Sequence, residues 1–448
     1  MESKYRVFWE AAMGKEMDGH GKTGTFSKID KLPEGRKAFS SKWVFAWKTD
    51  ESGLIIDFKA RLVARGFSQI PGVDFHHSSS ACPSAASIKT HLAVATERGW
   101  PAQHWDIKQA YTQAKLKEEI YLRLAEGCGE MSGKVVKCER ALYGLRQSGR
   151  EWGFEAADNL IKNGYEQCRA DPCVFRKEVD GEIVGMIVIY VDDIMFAGSE
   201  EERKKLLASL KKKLPVKDLG ACTWYDGCAI EMDLELGITK LSQTAYITEI
   251  VQRFNVTTTA STPATPGADL GPKRDGEPGV DKPVREAIGC LMWPATFTRP
   301  DIAPALNKVQ KHAHAPTERH WQEILRILSY LNATKELGIT YVRGSGLDLE
   351  VYVDASYADE ETDRRSLTGI AVTNRRWHCR EPRKQDAACS GVVDLGGRIH
   401  CSRGGREGGT VRACCTVVHS TRNEWGKDQG PRGQRRGNRV GGEPFQFC

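Results

Sequence analysis

Residues 183–197 form one apolar run that is interrupted at a single point, by the adjacent carboxylates of Tyr190-Val191-Asp192-Asp193. The run falls short of the roughly 20 residues a membrane helix needs, and its β-branched content suits two strands joined by a tight turn. Burying both flanks, Ile187-Val188-Ile189 and Ile194-Met195-Phe196, forces the two carboxylates to the end of a rigid hairpin. Their mutual repulsion there is costly unless a cation compensates it. An Asp-Asp pair alone is most often a solvated turn; the apolar flanks are what argue for chemistry. A further carboxylate at a predicted strand end, Asp106 in HWDIKQAY, completes an oxygen set of the kind that holds Mg²⁺ in phosphoryl chemistry.

The 448 residues predict two or three domains. Residues 40–62 read as a hairpin around the turn cluster 50–53, with Lys59 and Arg61 two apart and so on one face. Helical spacing covers 87–98, followed by a strand ending at Asp106, an amphipathic helix over 151–163 and a basic one over 200–214. Residues 257–283, rich in Thr, Pro and Gly, read as a linker. Residues 284–337 are helix-rich, and 347–373 look like two short strands around the polar turn 359–363.

Neither a signal peptide nor a membrane anchor is visible, which sets the expectation of a cytoplasmic or nuclear protein with no membrane partner. Without a C-x-x-C pair, the 14 cysteines are expected as reduced thiols rather than disulfides or zinc ligands. Gly21-Lys22-Thr23 has neither the first glycine nor the preceding strand of a P-loop. His312, His314 and His320 read as surface histidines.

From about residue 5 to 373 the chain resembles the reverse transcriptase of copia-type LTR retrotransposons. The segments that carry the resemblance are KWVFAWKTDESG, FKARLVARGFSQIPGVDF, WDIKQAYTQAKLKEEIYL, ALYGLRQSGREW, ADPCVF, YVDDIMFAGS, KLSQTAYITEIVQRF and TRPDIAPALNKV. It implies an α+β right-hand polymerase, with fingers and palm over 1–220, thumb and connection over 221–345, and the start of an RNase H-like fold over 346–373. The implied metal-binding groups are Asp106, Asp192 and Asp193, with the backbone carbonyl of Ile107, holding two Mg²⁺, or Mn²⁺ in their place. Lys59 and Arg61 match the residues that grip the incoming triphosphate, Tyr111 the ring beside its sugar, and Gln147 a nucleotide contact. Gly144 and Arg146 match the segment that packs on template and primer. The implied partners are an RNA template, a DNA primer and dNTPs, in a cytoplasmic virus-like particle or the nucleus; the resemblance leaves the oligomeric state open.

Two segments depart from the family pattern. Gln147-Ser148-Gly149-Arg150 replaces the usual Gln-Ala-Pro-Arg, and a glycine where proline sets a turn is expected to loosen that segment. SSSACPS over 78–84 replaces a Thr-Phe-Ala-Pro-Val type stretch. At the other end, 351–369 resembles the opening of the copia-type RNase H, with Asp354 as its first metal ligand. The Glu of its Thr-Ser-Glu-Ala-Glu-Tyr helix and the Asp of its Glu-Asp-Asn segment do not occur after Thr373, so RNase H activity is expected to be lost.

The codons for residues 394–403, read one base downstream, can spell Thr-Ser-Glu-Ala-Glu-Tyr-Ile-Ala-Leu-Ala, and those for 432–434 can spell Glu-Asp-Asn. A frameshift between about residues 373 and 386 would therefore put Gly396 and Gly433 where the catalytic Glu and Asp were encoded, making 374–448 an out-of-frame, disordered tail. The competing reading is an Arg/Gly-rich nucleic-acid-binding extension. That tail holds 13 Arg and 2 Lys against 7 acids, so the net charge of +6 belongs to it, and residues 1–373 carry 50 basic against 52 acidic residues. Overall charge is thus no argument for nucleic-acid binding. The functional expectation is an RNA-directed DNA polymerase, the alternative a decayed transposon remnant that at most binds nucleic acid.

Overall fold

The computed structural model describes residues 4–49, 54–355 and 368–374. The chain opens with α1 (Arg6–Thr23), stopped by Gly24 in the left-handed conformation, φ 62°. Behind it lies a five-stranded sheet in the order β1 (Phe26–Lys28), β6 (Val135–Arg140), β5 (Lys115–Arg123), β2 (Ala38–Thr49) and β3 (Ile55–Ala64). β2 and β3 are the expected first hairpin; cross-strand pairs set Lys59 opposite Ala46 and Arg61 opposite Val44 on one face. The other face turns Phe45 and Phe58 toward Trp9 of α1, which meets them edge-on at 5.0 and 4.6 Å.

A second, six-stranded sheet runs β11 (Val216–Ala221), β4 (Gln103–Ile107), β10 (Asp193–Gly198), β9 (Glu182–Tyr190), β8 (Val174–Val179), β7 (Glu166–Gln167). Both of its faces are covered, which explains why residues 183–197 read as a continuous apolar run rather than an alternation. On one side Trp105, Ile107, Ile187, Ile189, Ile194 and Phe196 join a core with Trp152, Ala156 and Leu160 of α4 (Ser148–Ile161) and Leu206, Leu207 and Leu210 of α5 (Glu200–Lys211). On the other, Val188 and Met195 meet Ile88 and Leu92 of α2 (Ala85–Arg98). Each such side chain, fully buried, contributes about 1.5–3 kcal/mol. Ser84 and Ser199 cap α2 and α5, each accepting a hydrogen bond from the backbone N–H three residues on. A short α3 (Ala110–Gln113) follows β4.

The third sheet, β12 (Trp224–Tyr225), β13 (Cys228–Asp233), β14 (Ile238–Ser242), β15 (Ile339–Val342), closes the second core through Tyr225, Ile230, Leu241 and Ile339. Between β14 and β15 stands a helical body of α6 (Thr244–Arg253), α7 (Val284–Phe297), α8 (Ala303–Gln310) and α9 (Glu318–Ala333), packed about Ile250, Leu291, Leu306 and Ile327. The stretch 257–283, expected as a linker, has no helix or strand between α6 and α7 and lies as a strap on α9. Ala260 N–H donates to Ser329 O, Thr265 N–H to Glu323 Oε1, and Arg319 reaches Asp269, Pro272 O and Glu277. Its composition withholds helix and strand but not side-chain and backbone tethers. His320 and His312 are likewise buried rather than superficial: His320 caps α9 with Thr317 and its Nε2 meets Gly271 O of the strap at 3.1 Å, while His314 is exposed.

Beyond the third sheet, β16 (Leu349–Ala355) and β17 (Thr368–Asn374) pair antiparallel as a sheet of their own, with Asp354 opposite Gly369. The turn between them and the tail 374–448, apart from Asn374, lie outside the described residues. All eight cysteines among the described residues are free thiols. No helix of the described residues is long and apolar enough to cross a membrane.

Candidate active site

Register builds the site. β9 and β10 pair Tyr190 with Asp193, so Val191 and Asp192 form the two-residue turn, and β4 sets Asp106 directly opposite Asp193. Val191 holds φ 55°, a left-handed conformation that strains a β-branched residue by about 1–3 kcal/mol. Its surroundings over-determine it. Trp152 Nε1–H donates to Val191 O at 2.6 Å, Ile107 N–H donates to Asp192 O at 2.8 Å, and the valine side chain packs on the core. Three carboxylates of two strands thus meet at one sheet end. Burial raises the pKa of Asp192, and the charges of Asp193 and Asp106 add to the rise, against its own backbone and Arg61. The Asp193 carboxylate is 2.7 Å from His104 Nε2, and Ile107 is buried.

The cations arrive from the first sheet. The charges of Asp192 and Asp106 act on the Lys59 ammonium, whose pKa burial, Arg61 and Lys48 nevertheless lower. The Arg61 guanidinium lies over the Tyr143 ring at 4.9 Å, and Tyr143 meets Tyr111 at 4.6 Å. Burial, then Asp192, raises the Tyr111 phenol. Lys59, Arg61, Tyr111, Asp106 and Asp192 are therefore brought to one place.

The segment after Tyr143 behaves differently from its sequence expectation. Gly144, φ 91°, presses on β3, where a Cβ would stand 2.1 Å from Ala64 O, and only glycine suits both the angle and the approach. Arg146 is exposed, its N–H bonded to Gln69 Oε1. Gln147, expected at the nucleotide, is fully buried: Oε1 accepts from Gln69 and Nε2 donates to Asp74 O and toward Glu118. Its amide ties the segment to the loop after β3 and has no free face for a ligand. Gly149, expected to loosen the chain, sits in the first turn of α4, and Ser80 Oγ lies 2.5 Å from where its Cβ would be. The two departures from the family pattern therefore meet. Both line a cleft of about 260 Å³ with Tyr111, Arg150, Trp152 and Val191.

Among the described residues no three His, Cys, Asp or Glu side chains stand as a ready-made metal cluster. The donor chemistry nevertheless fits a hard divalent cation, because Asp106, Asp192 and Asp193 offer oxygens only and the crowded, partly buried Asp192 carries the electrostatic signature a cation would relieve. Sequence reasoning missed His104, Tyr143 and Trp152. His104 had a signal, being two residues before Asp106 and so on the same strand face.

Residues 24–268 match the family model described as reverse transcriptase (RNA-dependent DNA polymerase). The chain is 33% identical over 374 residues to the retrovirus-related Pol polyprotein from transposon TNT 1-94 of Nicotiana tabacum, covering 81% of this chain and 28% of that one. To the Pol polyprotein from transposon RE1 of Arabidopsis thaliana it is 32% identical over 369 residues, 81% of this chain and 25% of the relative. The transposon Ty1-ER2 Gag-Pol polyprotein of Saccharomyces cerevisiae is 25% identical over 381 residues, 80% and 21%. The chain spans about a quarter of the length of these curated relatives. Among solved structures, a foamy viral protease-reverse transcriptase in complex with double-stranded DNA gives a TM-score of 0.42 at 15% identity, covering 81% of this chain and 53% of that one.

Proposed function

The chain belongs to the reverse transcriptase (RNA-dependent DNA polymerase) family and is homologous to copia-type Pol polyproteins of plant and yeast transposons, and on that premise we propose that it copies an RNA or DNA template into DNA by nucleotidyl transfer to a primer 3′-hydroxyl. The observation that carries this reading is the convergence of Asp106 and Asp192 from the second sheet with Lys59 and Arg61 from the first. On this reading residues 1–220 are fingers and palm, 221–345 thumb and connection, and 346–373 the beginning of an RNase H-like unit whose activity is lost.

Lys59, a point charge, and Arg61, a planar fork braced on Tyr143, grip the triphosphate of the incoming dNTP. Tyr111 sets its ring where a ribose 2′-hydroxyl would collide, favouring deoxynucleotides. Asp106, Asp192 and Asp193 would hold two divalent cations, which when bound neutralise the phosphates and acidify the primer hydroxyl. The bond formed joins the primer 3′-oxygen to the α-phosphorus, and the bond broken releases pyrophosphate. The strained Val191 turn, fixed by Trp152 and Ile107, keeps Asp192 pre-set for that task.

Primer extension on an RNA template with Mg²⁺ tests the proposal. The parent chain should extend and Asp192→Asn should not. No extension by the parent leaves the decayed, nucleic-acid-binding reading, and extension that ignores Asp192→Asn removes the site assignment.

A further inference from the structure

Gln109, three residues after Asp106 and two before Tyr111, adopts a left-handed backbone, φ 48° and ψ 50°. Non-glycine residues hold that conformation when their surroundings over-determine it. Its carbonyl accepts from Thr112 N–H and Oγ1–H, starting α3, and its side-chain amide crosses to α1. There Nε2 donates to Glu16 Oε2 at 2.8 Å and to Glu16 O at 3.3 Å. The face of α1 is bare where the amide lies: a Cβ on Gly19 would stand 2.2 Å from Gln109 Oε1. The Glu16 side chain is only 11% exposed, and its Oε1 lies 3.6 Å from Nε2 of the buried His20. The backbone of Leu62, next to Arg61 on β3, also acts on this carboxylate. A helix that precedes the matched residues 24–268 and packs on the strand of Lys59 and Arg61 therefore also holds, by the Glu16 side chain, the turn between Asp106 and Tyr111.

We propose that Glu16 is a positioning residue for nucleotide incorporation: through Gln109 it fixes residues 107–110, and so the placement of Asp106 and Tyr111 relative to the triphosphate-gripping strand. The proposal rests on the polymerase reading above. Glu16→Ala should raise KM for dNTP on the order of tenfold, lower kcat less, and narrow the preference for dNTP over rNTP set by Tyr111. Glu16→Gln, whose amide oxygen still accepts from Gln109, should stay within about threefold of the parent. Glu16→Ala and Gln109→Ala combined should do little more than either alone, because both cut one link. Hydrogen exchange without substrates gives a readout free of activity: amides 108–113 should exchange faster in both single variants, while those of β9 and β10 keep the parent rate. Unchanged exchange at 108–113 in Glu16→Ala overturns the latch whether or not the chain polymerises. Additive kinetic losses, or a Glu16→Gln as impaired as Glu16→Ala, overturn the role of the hydrogen bond. A parent that extends no primer removes the polymerase reading and the positioning role with it, even where exchange rises.

Discussion

Two antiparallel hairpins of this chain carry an aspartate at a strand end, and they stand in different company. β9 and β10 lie inside a six-stranded sheet covered on both faces, so Asp192 and Asp193 meet Asp106 on a neighbouring strand and cations from another sheet. β16 and β17 pair only with each other among the described residues, and Asp354 faces Gly369 across the ladder. A two-stranded hairpin is marginal by itself in water, and a hard divalent cation needs several oxygen ligands. The difference teaches that a carboxylate at a strand end becomes a site when further strands bring it partners.

The largest expected effect separates the two hairpins directly. Asp192→Asn should lower primer extension on the order of a thousandfold or more, whereas Asp354→Asn should leave it unchanged and the parent should cleave no RNA–DNA hybrid. Hybrid cleavage abolished by Asp354→Asn would erase the contrast. Next in size is the packing beneath the first hairpin. Gly149→Ala drives a methyl into Ser80, whose Oγ and Cβ lie 2.5 and 2.8 Å from the added Cβ, and should cost about 1–3 kcal/mol in denaturant unfolding. An unchanged midpoint would mean that the 78–84 loop moves freely.

Trp152→Phe keeps the ring in the core but removes the hydrogen bond to Val191 O. It should cost about 1 kcal/mol and lower extension more than stability, because the strained turn loses a tether. Equal kinetics in this variant would show that Ile107 alone holds the turn. The last effect concerns α2, which packs on the sheet of the first hairpin. Burial lowers the His91 pKa from 6.5 to about 3, so the unfolded chain takes up the proton first. Stability present at pH 7 is therefore lost as pH falls through 6.5 toward 3, by about 1 kcal/mol between pH 7 and 5.5. His91→Leu should remove that part of the slope, as read by thermal melting at the two pH values, and an identical slope in both proteins would refute it.

Much of the site was legible because strands alternate with period two and carboxylate pairs are unmistakable in an apolar run. The hairpin over residues 183–197, the shared face of Lys59 and Arg61, and the strand pair around 347–373 all follow from such local patterns. For residues 257–283, Thr, Pro and Gly report the absence of regular structure, and say nothing of the tethers from Arg319 and Glu323 some fifty residues on. His320 looked superficial for the same reason: its partners, Thr317 and Gly271, make a buried cap that spacing does not announce. Gln147 matched a nucleotide contact by position, yet Gln69 and Asp74 hold its amide inside.

The sequence by itself determined the family, the carboxylate hairpin and the residue types at the site, because these rest on short motifs and strand periodicity. Tertiary structure decided the rest. Asp106 faces Asp193 through sheet register, Gly149 meets Ser80 because the start of α4 and the 78–84 loop converge, and Glu16 reaches Gln109 because Gly19 leaves the helix face bare. Each of these joins residues distant in the chain, and the distances that govern electrostatics and packing exist only once the sheets and helices have closed on one another.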